Sequence, residues 1–165
     1  MREQHRPVVY LGPGDFYFGE GDQLISTVLG SCVAVTLWHP ARKIGGMCHI
    51  VLPAEFNTGK DKKKNELNGR YADDAMKMFE REAECSGTRL SNYDARIYGG
   101  SNSRINNREY SVGARNLVAV RQLLADMQIP VKSSHTGNSG SRRIIMDLKS
   151  GDVMLRHLAR QEQLD

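Results

Sequence analysis

Hydrophobic residues in this chain come in short blocks broken by glycine, proline and charged residues, a rhythm that predicts strands more often than helices. Val8-Val9-Tyr10-Leu11 is closed by the turn Gly12-Pro13-Gly14-Asp15, and Asp15-Phe16-Tyr17-Phe18 is ended by Gly19-Glu20-Gly21-Asp22. Gln23–Leu29 and Cys32–Trp38 follow, separated by Gly30-Ser31. In Cys32–Trp38, Val33, Val35 and Leu37 alternate with Cys32, Ala34, Thr36 and Trp38. Both faces are largely apolar, so this strand is expected to be covered on both sides. His39-Pro40-Ala41-Arg42-Lys43 makes the next turn, because proline cannot continue a central strand. The strand from Ile44 to Pro53 then places Met47, His49 and Val51 on one face and Cys48, Ile50 and Leu52 on the other.

Two segments change period. From about Gly69 to Glu84, Tyr71, Ala75, Phe79 and Ala83 recur four apart beside Ala72 and Met76, which predicts an amphipathic helix stopped at Ser86-Gly87. Cys85, in its last turn, is expected to pack. From about Gly113 to Met127, Leu117, Val120, Leu124 and Met127 predict a second helix, with Ser111 as N-cap and Ile129-Pro130 as its end. Tyr93–Tyr98, Val131–His135, Arg143–Leu148 and Val153–Leu155 complete the strands, followed by a polar tail. Ala54–Asn68 is expected to be a mobile loop near the histidine strand. Clustered strands with two helices predict an α+β fold: packed, largely antiparallel sheet layers flanked by two main helices, in one domain spanning residues 1–165.

Composition narrows the class. No apolar run is long enough to span a bilayer, and the polar start Met1–Pro7 lacks the apolar core of a secretory signal. Three cysteines without framework spacing argue against a disulfide-built secreted protein and point to a reducing cytoplasm. With 23 basic and 19 acidic side chains the net charge is +4. The densest run, Lys60–Lys64, reads as a solvated loop, since no aromatics interleave with it as nucleic-acid binding requires.

The chemistry-bearing residues lie on the two central strands. Cys32 opens its strand directly after Gly30-Ser31, and His49 lies within the next one. A thiol is a strong nucleophile as a thiolate, and a nearby imidazole is the usual means of forming one. Antiparallel pairing would bring the two within reach, although either alone is as readily a buried core residue.

The segment from Thr27 to Pro53 resembles the signature of the CheD family, chemoreceptor glutamine deamidases of bacterial and archaeal chemotaxis. The resemblance rests on Leu29-Gly30-Ser31-Cys32-Val33, the pair Gly45-Gly46 and His49-Ile50-Val51-Leu52-Pro53. Further matches are Tyr71-Ala72-Asp73, Ile97-Tyr98-Gly99-Gly100, Val112-Gly113-Ala114-Arg115-Asn116 and Thr136-Gly137-Asn138. The resemblance implies hydrolysis of protein glutamine side-chain amides, with Cys32 as nucleophile, His49 as acid and base, and a threonine upstream of the cysteine orienting the imidazole. Thr27 takes that place if the turn is one residue shorter than in many members, and Ser26 takes it without a gap. The resemblance further implies methyl-accepting chemotaxis receptors as substrate, a CheC-type phosphatase as partner, cytoplasmic location, and no cofactor, metal, nucleic acid or membrane insertion.

Three rival readings remain. Zinc could be drawn from Cys32, Cys48, His49 and Cys85, but no C-x-x-C spacing is present and Cys48 and His49 point to opposite faces. A cysteine protease or transamidase would use the same dyad. A binding module of the chemotaxis pathway without catalysis would not need both residues.

Overall fold

The computed structural model describes residues 5–54, 66–102 and 111–158. Its strands are β1 (Val8–Leu11), β2 (Phe16–Glu20), β3 (Leu24–Leu29), β4 (Val33–His39), β5 (Ile44–Ile50), β6 (Asp94–Gly99), β7 (Val131–Thr136), β8 (Ser141–Asp147) and β9 (Val153–Leu158). The helices are α1 (Ala72–Cys85) and α2 (Val112–Asp126), with a single 3₁₀ turn at Leu90–Asn92. They form two mixed sheets: a four-stranded one ordered β1-β3-β8-β9 and a five-stranded one ordered β2-β5-β4-β6-β7. β1 runs parallel to β3 and β6 parallel to β7, while the remaining neighbours are antiparallel. The fold is α+β, as the order of elements predicts.

Why β4 is apolar on both faces is now plain. Val33, Val35 and Leu37 join Cys48, Ile50, Phe79, Val120 and Leu124 in a core beneath the two helices. Ala34 joins Met47, Ile25, Leu29, Ile144 and Met146 in a second core between the sheets. Adjacent residues of one strand thus serve two separate hydrophobic layers. Both helices pack on the five-stranded sheet, where the ring of Phe79 meets Phe16 edge-on at 4.8 Å. Among the described residues, no helix is long and apolar enough to cross a membrane.

Several expected boundaries move. β5 ends at Ile50, because the N–H groups of Val51 and Leu52 both turn to the Arg70 carbonyl (2.8 and 3.0 Å). The same contact delays α1: Gly69-Arg70 is a turn, Tyr71 bridges to Leu52, and the helix opens at Ala72. β9 runs on to Leu158, so part of the expected polar tail is edge strand. Cys85 is exposed and does not pack. α2 begins as expected, with the Ser111 hydroxyl accepting from the Ala114 N–H at 3.1 Å. The Lys60–Lys64 run, and the expected loop but for its two ends, lie outside the described residues.

Candidate active site

Gly30-Ser31 is where the chain leaves one sheet for the other. β3 lies inside the four-stranded sheet and β4 at the centre of the five-stranded one, so Cys32 stands at the crossing. Its turn is held from the far side by the two residues after β6: the Gly100 N–H donates to the Cys32 carbonyl (2.8 Å) and the Ser101 N–H to the Gly30 carbonyl (3.0 Å). That approach requires a glycine at 99. Its φ is +100°, and a Cβ there would lie 2.3 Å from the Cys32 carbonyl oxygen.

β4 and β5 pair with Ala34 opposite His49. Cys32 lies two residues before Ala34, just ahead of the paired register, and packs against the same inter-sheet core as Ala34 and Met47, on the side of β5 that His49 shares. The histidine is 2 % exposed. Its main chain is pinned at both ends, with His49 N–H to the Asp15 carbonyl at 3.1 Å and the Gly14 N–H to the His49 carbonyl at 2.9 Å. Two backbone hydrogen bonds thus hold β5 to the Gly14-Asp15 segment at His49.

Thr27 reaches this histidine from the other sheet. Its Oγ1 lies 2.7 Å from His49 Nδ1 and 2.7 Å from the Leu11 carbonyl oxygen. A carbonyl only accepts, so the single hydroxyl proton goes to Leu11, and Nδ1–H must donate to Oγ1. That sets the tautomer: Nδ1 carries the proton and Nε2 keeps the lone pair. Ser26 is buried as well, one step along β3, with its side chain on the opposite face of the strand.

Cys32, His49, Thr27 and Ser26 line one cavity of about 360 Å³, together with Gly12 and Arg143. Burial pushes the Cys32 thiol above its usual value. It pushes the His49 imidazole below its usual value, against a smaller upward pull from the Asp15 carboxylate. Both directions favour the neutral thiol and the neutral imidazole in the cavity that the two residues line. Such a pair is suited to transfer the thiol proton to Nε2 as the sulfur attacks.

The other two cysteines are elsewhere. Cys48 is fully buried in the core under the helices, its thiol 3.7 Å from the Val35 carbonyl and its pKa pushed up to about 12 by burial. Cys85 is exposed at the end of α1. The two sides of the pair are also joined by a residue that strand patterns do not single out. Asn116 of α2 is wholly buried, and its Nδ2 donates to the carbonyls of Ser31 (3.3 Å) and Val51 (2.9 Å). The available signal was a polar residue on the buried stripe of a helix.

Comparison with known proteins relates the chain to a family. The family model described as CheD chemotactic sensory transduction matches residues 51–157. The chain is 42 % identical over 150 residues to the probable chemoreceptor glutamine deamidase CheD 3 of Dechloromonas aromatica, covering 89 % of this chain and 85 % of that protein. It is 37 % identical over 153 residues to the probable chemoreceptor glutamine deamidase CheD of Pseudomonas savastanoi pv. phaseolicola, covering 90 % of this chain and 84 % of that protein. A homologue from Leptospira interrogans with the corresponding name, CheD 1, is 31 % identical over 153 residues, covering 88 % of this chain and 89 % of that protein. Identity at this level over most of both chains shows common descent, and the chain belongs to the CheD family.

Proposed function

We propose that this protein hydrolyses glutamine side-chain amides of methyl-accepting chemotaxis receptors, and so tunes their adaptation, with Cys32 as nucleophile, His49 as base and acid, and Thr27 as the group orienting His49. The carrying observation is the 2.7 Å contact of Thr27 with His49 Nδ1, in the cavity that Cys32 also lines. Cys32 Sγ gives its proton to His49 Nε2 and attacks the amide carbon, whose carbonyl electrons move to oxygen. The tetrahedral species collapses with cleavage of the C–N bond, and the imidazolium returns its proton so that ammonia leaves. His49 then takes a proton from water, which attacks the thioester. Cleavage of the C–S bond yields glutamate and restores the thiol. Backbone N–H groups of the Ser31-Cys32 turn receive the developing oxyanion.

Incubation of the folded protein with a chemoreceptor should release ammonia and convert specific glutamines to glutamate by peptide mass spectrometry. A folded wild-type protein that converts no glutamine in receptors of its own cell overturns the reading.

The same scheme separates the two hydroxyls. Thr27→Val removes the acceptor that holds Nδ1–H, which should lower kcat, though by less than loss of the nucleophile does. Ser26→Ala should leave kcat near wild type, because Ser26, although it lines the cavity, makes no hydrogen bond to His49 among the described residues, where Thr27 does. The reverse ranking would assign the orienting role to Ser26.

A further inference from the structure

We infer that Asn116 is a positioning residue for the oxyanion: from α2 it fixes the Ser31–Cys32 peptide so that the Cys32 N–H is aimed at the cavity. The inference rests on the proposed acyl chemistry at Cys32.

Asn116 spends both hydrogens of Nδ2 on two carbonyls, that of Ser31, immediately before Cys32, and that of Val51, two residues after His49. Its Oδ1 is buried and has no hydrogen-bond partner among the described residues. The amide cannot be turned over, since Oδ1 would then face two carbonyl oxygens. A wholly buried acceptor left unpaired costs stability. The residue is therefore a poor choice for packing and a good one for holding two carbonyls at once.

The direction of the pull gives it meaning. In a trans peptide the C=O and the following N–H point to opposite sides. α2 covers the helix side of β4, where its Val120 and Leu124 pack with Val33 and Val35. Cys32 packs instead with the core between the sheets and lines the cavity there. Drawing the Ser31 carbonyl toward α2 turns the Cys32 N–H away from the helix, to the side on which the substrate would be attacked. No acceptor meets that N–H among the described residues. α2 can sit this close because residue 113 is glycine: a Cβ there would lie 2.4 Å from the Ser101 carbonyl oxygen and 2.6 Å from that of Gly100. The N–H is thus set before substrate arrives, as an oxyanion donor must be to lower a barrier.

Two reactions at the same sulfur distinguish this role from general support of the site. Alkylation by iodoacetamide displaces iodide at a saturated carbon and develops no oxyanion. Acylation by p-nitrophenyl acetate forms a tetrahedral oxyanion, then a thioester with release of p-nitrophenolate. For Asn116→Leu, close to asparagine in shape but without donors, acylation and receptor deamidation should fall about 10²-fold. The rate and pH profile of Cys32 alkylation should stay at wild-type values, and KM for the receptor should not change. For Asn116→Asp the carboxylate opposes both carbonyls at neutral pH, so the loss should be at least as large. It should recover relative to wild type as the pH falls, since the protonated acid can again donate to one carbonyl.

Acylation and alkylation falling together in both variants would show a structural role only, and unchanged acylation in Asn116→Leu would remove Asn116 from the mechanism. If the wild type is acylated by the ester yet deamidates no receptor, the proposed substrate fails while the ester comparison still decides the role of Asn116.

Discussion

Replacing Cys32 with alanine is expected to abolish ammonia release and leave the fold intact. The proposed reaction starts with the bond this sulfur makes to the amide carbon, and removal of a covalent nucleophile leaves only residual binding effects, so kcat should drop by roughly 10⁴-fold or more. The structural cost should be small. Cys32 is half-buried at a strand entrance, and its backbone, which Gly100 holds, keeps its hydrogen bond in the variant. Thermal unfolding should move by no more than the equivalent of about 1 kcal/mol. Mass spectrometry of receptors treated in parallel with wild type and Cys32→Ala measures the first part, and a melting curve the second. Undiminished conversion by a folded Cys32→Ala protein would remove the thiol mechanism.

His49→Ala should cost nearly as much, about 10²- to 10⁴-fold in kcat, since one side chain serves as base and acid in both halves of the cycle. The more telling readout is the thiol itself. In the proposed mechanism His49 accepts the proton as Sγ reacts, so Cys32 of the wild type should be alkylated readily near neutral pH. Without the imidazole the thiol must ionise alone, and burial has raised it above the ordinary value of 9.0. Alkylation of His49→Ala should therefore be slow at neutral pH and rise only in the alkaline range. Cys48, buried and raised to about 12, should remain unlabelled in either protein. The acid side has a definite sign too. Burial lowers the His49 pKa, so the imidazole stays neutral, and competent as a base, below the ordinary value of 6.5. The acid limb of kcat/KM should accordingly lie below 6.5. A limb displaced above it, or unaltered alkylation in His49→Ala, would break the pairing.

What the sequence revealed of this fold follows from which interactions are local. The alternation in Cys32–Trp38 reported burial on both faces because each face of β4 meets its own core. The Ala75, Phe79 and Ala83 stripe marked α1 for the same reason. The start of α1 was out of reach, since it is set by Leu52, which receives the Ala72 N–H from another part of the chain. The end of β9 was out of reach because Arg156 and Leu158 lie exposed on an edge strand, where no burial pattern forms. Proximity of the Cys32 and His49 strands was legible from the turn between them. Which sheet each strand joins was not, because period reports a face and never a partner. The contact between Thr27 and His49 crosses that gap, and in the sequence it was supported by family resemblance alone. Asn116 lies in a stretch shared with the family, but nothing local gives it a role, since its two acceptors lie 85 and 65 positions away.

The hydrogen bond from His49 to Thr27 spans two sheets, and this bears on when the protein becomes reactive during folding. β3, which carries Thr27, is flanked by β1 and by β8, so the sheet proposed to orient the imidazole is completed by β8 and β9, the last in chain order among the described strands. A chain still emerging, or one with its strands formed but its sheets undocked, would carry the cysteine and the histidine without the correct tautomer. Its sulfur would behave as an unassisted thiol. Brief iodoacetamide pulses during refolding should find neutral-pH reactivity at Cys32 appearing with tertiary packing, well after the circular dichroism of the strands. Such a nucleophile stays latent until the molecule that must control it is complete.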